Sequence, residues 1–106
     1  MDKEKRIELY KKAIDTWGIE AQRNMAFEEI GELLTVLAQD RRGRVTKEEI
    51  ITELADVTIM CEQLAYWLGY DDYEKEMSYR RAVSSGRSGG ALRPRIFILH
   101  GNEALG

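Results

Sequence analysis

Only one proline interrupts this chain of 106 residues, and it is Pro94, near the far end. From Asp2 to Val83, therefore, nothing fixes the backbone against long helices. The single cysteine, Cys61, cannot close a disulfide within the chain, and the single histidine is His100. One histidine excludes the di-iron four-helix bundle, which needs a Glu-x-x-His motif on each of two helices. A basic excess is also missing: 16 Lys and Arg stand against 19 Asp and Glu, for a formal charge of -3. That balance argues against a dedicated nucleic-acid binder. It leaves a nucleotide substrate open, because bound metal ions can supply the positive charge. No stretch approaches the roughly 20 apolar residues that span a bilayer. Met1 is followed by Asp-Lys-Glu-Lys-Arg rather than by the apolar run of a signal peptide. The expectation is one cytoplasmic helical domain with neither membrane nor nucleic acid as partner. A chain this short buries a limited core by itself.

What is present is helical periodicity punctuated by glycine. Gly18, Gly43 and Gly69 each follow an amphipathic segment, where a C-terminal cap glycine belongs. The spacing predicts four helices. The first runs from about Lys3 to Trp17, with Ile7, Tyr10, Ala13, Ile14 and Trp17 on its apolar side. The second runs from about Glu20 to Arg41. The third starts after Thr46, which with Glu49 forms a capping-box pattern, and continues to Leu68. The fourth covers about Asp72 to Val83, capped by Asp71 or Asp72. The domain then ends at residue 83. From Ser84 the Ser-Ser-Gly-Arg-Ser-Gly-Gly stretch reads as a flexible linker, followed by the short apolar run Arg95-Ile96-Phe97-Ile98-Leu99-His100 in a tail of unknown role.

The carboxylates stand out by their neighbours. At about 100° per residue, Met25, Glu29, Glu32 and Val36 share one row of the second helix, beside the stripe Ala26, Ile30, Leu33 and Leu37. On the third helix Glu53 and Asp56 share a row with Met60, Leu64 and Trp67. That helix is apolar almost all round, as a helix central to a bundle or an oligomer interface would be. Two acidic pairs on packed helices concentrate four negative charges in a partly desolvated place, which is costly. A divalent cation removes the cost, and hard oxygen ligands suit Mg²⁺ or Mn²⁺. The pattern alone leaves two readings open, a metal site and an ordinary solvated acidic patch.

Glu28-Glu29-Ile30-Gly31-Glu32, then twenty residues, then Glu53-Leu54-Ala55-Asp56, resembles the EExxE…ExxD signature of the MazG-like all-α nucleotide pyrophosphatases. Trp17-Gly18-Ile19-Glu20-Ala21-Gln22 and the apolar continuation from Ala55-Asp56-Val57 extend the similarity, which covers about residues 7 to 83. The resemblance implies an all-α, four-helix-bundle fold completed by oligomerisation. It implies hydrolysis of (deoxy)nucleoside triphosphates between the α and β phosphates, with Mg²⁺ (or Mn²⁺) as cofactor and a nucleoside monophosphate and pyrophosphate as products. Glu29, Glu32, Glu53 and Asp56 match the metal ligands. Glu28, with Glu29, matches residues that orient or activate the attacking water. Lys75, Arg80 and Arg81 fall where the family holds phosphates, and Tyr79 stands where some relatives carry Asn. A homodimer or homotetramer is the expected assembly.

Other residues carry two readings each. Trp17, Phe27, Tyr66 and Trp67 fit a packed core, since aromatics at helical spacing usually pack. Of these, Trp17 with Gln22 and Asn24 is the base-binding candidate, because it ends a helix at a turn that polar donors follow. Cys61 fits the core better than a nucleophile's role. The Asp40-Arg41-Arg42-Gly43-Arg44 turn is a solvated loop or a phosphate contact from a neighbouring subunit. Against the hydrolase stand a non-catalytic helical interaction module and, within the same superfamily, a specialised activity such as dUTP, dCTP or phosphoribosyl-ATP hydrolysis.

Overall fold

Every regular element in the computed structural model, which describes residues 1–84 with side chains to Val83, is a helix. The order is α1 (Lys3–Trp17), α2 (Ile19–Asp40) and α3 (Lys47–Ser84). Each boundary has a local cause. The Asp2 carboxylate accepts from the Lys5 amide at 2.8 Å and starts α1, and Gly18 (φ 88°) stops it, donating to the Ile14 carbonyl at 2.8 Å. After α2, the Arg44 amide reaches the Gln39 carbonyl (3.1 Å) and the Gly43 amide the Asp40 carbonyl (2.9 Å). This is the Schellman pairing, with Gly43 supplying the left-handed residue at φ 68°. At the head of α3, Glu49 accepts from the Thr46 amide (2.7 Å) and the Glu49 amide donates to the Thr46 hydroxyl (3.1 Å), which completes the capping box.

The expected third and fourth helices both lie within α3, where two helices meet across a kink at Gly69. No run of non-helical residues separates the two, and Asp71 and Asp72, expected as the cap of the second, are themselves helical. Only Gly69 leaves helical geometry there, at φ 128° and ψ 98°. Glycine reaches that conformation without the penalty a Cβ would impose, so Gly69 separates the two helical runs where the sequence predicts a stop.

The chain divides into two compact units, Met1–Tyr70 and Asp71–Gly106. In the first, α1 packs on α2. The Tyr10 hydroxyl donates to Glu62, and Gln22 Nε2 donates to Gln63 Oε1 at 2.7 Å. Tyr10, Ala26, Val36, Met60, Ala65 and Tyr70 form its buried apolar set. Gln22 on α2 meets Gln63 on α3, while Glu29, further along α2, meets Glu53 and Asp56, earlier on α3, so these helices run antiparallel. In the second unit Arg80 Nε pairs with Glu76 one turn earlier, at 2.6 Å.

Much of the expected core faces outward in the single chain. Phe27 is 68 % exposed, Trp17 65 % and Trp67 46 %, and Met25, Ile30 and Leu37 are exposed as well. Cys61, expected in the core, is also exposed. The reason is geometric: periodicity places a residue on an apolar face without specifying what covers that face. Among the described residues, no helix is long and apolar enough to cross a membrane. Residues 85–106, which include most of the expected linker and tail with His100, lie outside the described residues.

Candidate metal centre

The site is built by two helix segments that approach in opposite directions. Glu29 projects from the middle of α2, while Glu53 and Asp56, three residues apart, project from one face of α3. One carboxylate oxygen from each of the three lies within 4.8 Å of the others, and all three residues are half-buried. Glu32, one turn beyond Glu29, is exposed and stands at the rim, where its charge acts on both Glu29 and Glu53. Glu28 is exposed too, and its charge reaches Glu29.

The electrostatics are those of crowded anions. Desolvation, then the charges of Glu32, Asp56, Glu53 and Glu28, push the Glu29 carboxyl above its ordinary range. Desolvation, then the charges of Glu32 and Asp56, do the same to Glu53. One oxygen of each, Glu29 Oε1 and Glu53 Oε1, is buried with no hydrogen-bond partner. Buried polar atoms nearly always have a partner, so two orphaned anionic oxygens in one cluster leave acceptor capacity of the kind a hard cation takes up. The donor set fits: oxygen-only ligands, an anionic charge and an open rim suit Mg²⁺ or Mn²⁺.

The remaining sequence candidates fall in different places. Trp17 and Asn24 are exposed on α1 and α2. Gln22 is 8 % exposed, with its amide nitrogen already engaged by Gln63. Lys75, Arg80 and Arg81 belong to the second unit, where Lys75 lines a groove of about 440 Å³ with Asp71, Glu74 and Ser78. Sequence reasoning missed two polar pairs. Tyr10–Glu62 and Gln22–Gln63 join residues 52 and 41 positions apart, which no local pattern announces. A cleft of about 340 Å³ between Arg6, Leu9, Tyr10, Ile59 and Gln63 was missed as well. Compared with known proteins, the chain matches no family model, no curated protein and no solved structure.

Proposed function

We propose that the chain is a divalent-metal-dependent nucleoside triphosphate pyrophosphohydrolase of the MazG-like kind, hydrolysing (deoxy)nucleoside triphosphates at the α–β bond. The observation that carries the reading is the convergence of Glu29, Glu53 and Asp56 with two buried, unpartnered oxygens among them. The motif resemblance adds the reaction class. Glu29, Glu53 and Asp56 would hold Mg²⁺, with Glu32 at the rim as the fourth ligand. When bound, the ion neutralises triphosphate charge and lowers the pKa of coordinated water. Glu28 would accept the proton of the attacking water, and Glu29, half-buried beside it, would orient that water. By the resemblance alone, Lys75, Arg80 and Arg81 would bind phosphate oxygens and take up charge on the departing pyrophosphate. Trp17 and Asn24, both exposed, are the base-binding candidates; Gln22, expected with them, is buried and bonded to Gln63.

The reading includes a homodimer or homotetramer whose bundle is completed between copies. Phe27, Ile30, Leu34 and Leu37 on α2, and Ile51 and Leu54 on α3, are 42–68 % exposed and recur at helical spacing. Such stripes are the seams along which helices associate. A non-catalytic interaction module would also use these stripes, but it has no use for partnerless acids between them.

A panel of ribo- and deoxynucleoside triphosphates assayed in ¹⁸O-labelled water tests the reading. The expected result is Mg²⁺-dependent release of pyrophosphate with the label in the monophosphate, which marks attack at the α-phosphorus. Orthophosphate and a diphosphate as products would refute it.

A further inference from the structure

Gln22 and Gln63 are the two buried polar residues of the chain's first unit, each 8 % exposed, and they bond to one another at 2.7 Å. Glu29 lies seven residues after Gln22 on α2, and Asp56 seven residues before Gln63 on α3. Seven residues make two turns, about 10 Å of axis, with nearly the same angular position. In an antiparallel pair the two steps are equal and opposed. A partnered Gln22–Gln63 thus sets Glu29 level with Asp56, two turns away.

We propose that the Gln22–Gln63 hydrogen bond is the register clamp of the carboxylate site, which makes these two glutamines positioning residues for a divalent cation. The proposal rests on the metal reading above. Between the clamp and the acids the buried contacts include Ala26 and Met60, 4 % and 6 % exposed. Apolar contact of that kind is non-directional and tolerates a shift along the axis. A buried amide pair does not: sliding α3 by one turn, about 5.4 Å, would strand both amides without partners. A buried polar group that fixes helix register at some expense of stability is the best-attested use of such groups. A carboxylate site needs that fixing, because ligand geometry must hold within about half an ångström.

The test is a Mn²⁺ titration of the full chain, with free Mn²⁺ read by electron paramagnetic resonance and thermal melts run in parallel. Gln63→Glu keeps an oxygen to accept from Gln22 and should lose no Mn²⁺ affinity, since its added charge, buried and little screened, attracts the cation; a loss would overturn the clamp. The double variant Gln22→Leu with Gln63→Leu leaves no stranded amide and should melt close to the parent. Its Mn²⁺ affinity should nevertheless fall by about tenfold, the lower end of what supporting residues contribute at metal sites. Gln63→Asn, which withdraws the acceptor by one methylene, should fall in between, and it carries the comparison if the double variant fails to fold. Parental affinity in Gln63→Asn, or in a folded double variant, overturns the clamp and leaves the metal reading standing. No Mn²⁺ binding by the parent overturns both.

Discussion

Tyr10→Phe removes one oxygen from a buried place and nothing else. Tyr10 is 6 % exposed, and its hydroxyl donates to Glu62 on α3, so one bond ties α1 to the helix that carries Glu53 and Asp56. A hydrogen bond to a charged acceptor contributes about 1.5–3 kcal/mol. The lower end applies, because the Glu62 side chain keeps 22 % of its exposure and lies 3.8 Å from Arg6 Nε, so it is not stranded when the hydroxyl goes. A loss of about 1.5 kcal/mol lowers the melting temperature of a domain of this size by about 6–12 °C. A second readout is pH. Burial, then the hydrogen bond to Glu62 and its charge, hold the Tyr10 phenol well above its ordinary value of 10.0. The folded state therefore keeps a proton that the unfolded chain releases near pH 10. The hydroxyl's contribution is present in full below that pH and declines as pH rises beyond it toward the folded value. Urea unfolding of parent and Tyr10→Phe at pH 8, 10 and 11 should show a gap that narrows above pH 10. With Glu62→Ala as the second mutation, a double-mutant cycle should give a coupling of about 1 kcal/mol. Additive mutations, or a gap unchanged with pH, would refute the pairing.

The carboxylate cluster has the same sign at lower pH. Glu29 and Glu53 are raised above their unfolded values near 4.5, so their contribution to stability is greatest below that pH and is lost as pH rises through the folded values. Metal-free protein should accordingly melt higher at pH 5 than at pH 7, and Mg²⁺ at pH 7 should close the gap; no gap in EDTA would contradict the crowding. At Gly43 a Cβ would meet nothing within 4 Å, yet φ is 68°, so Gly43→Ala should cost about 1 kcal/mol through backbone strain alone, measured by chemical denaturation. Sedimentation at micromolar concentration should show a dimer or tetramer. Phe27→Glu with Leu34→Glu should shift it toward monomer, and a monomeric parent would refute the reading of the exposed stripes.

Helix boundaries were legible wherever a side chain or glycine sets them within a few residues: Asp2 and Gly18 around α1, Thr46 with Glu49 at the head of α3. The convergence of Glu29 with Glu53 and Asp56 was legible for a related reason. Acids three apart in apolar rows of two helices joined by a short turn can scarcely avoid meeting. Gly69 was legible as the break between the two helical runs of α3, but the cap at Asp71 or Asp72 was not, because the chain is helical again from Tyr70. Phe27, Trp17 and Cys61 misled because amphipathic spacing marks a face for burial without saying what covers it. The Tyr10–Glu62 and Gln22–Gln63 pairs were invisible because each depends on a tertiary register that no window of sequence contains.

Glu53→Gln tests the central claim most directly. It keeps the side chain's shape while removing an anionic ligand and one source of repulsion, so the metal-free variant should be at least as stable as the parent. The account predicts that the parent converts a nucleoside triphosphate to monophosphate and pyrophosphate in equal amounts with Mg²⁺ and not in excess EDTA. It predicts that Glu53→Gln, folded and stable, turns over nothing measurable, with the loss mainly in kcat. Parental turnover by Glu53→Gln, or parental activity undiminished in EDTA, would contradict it.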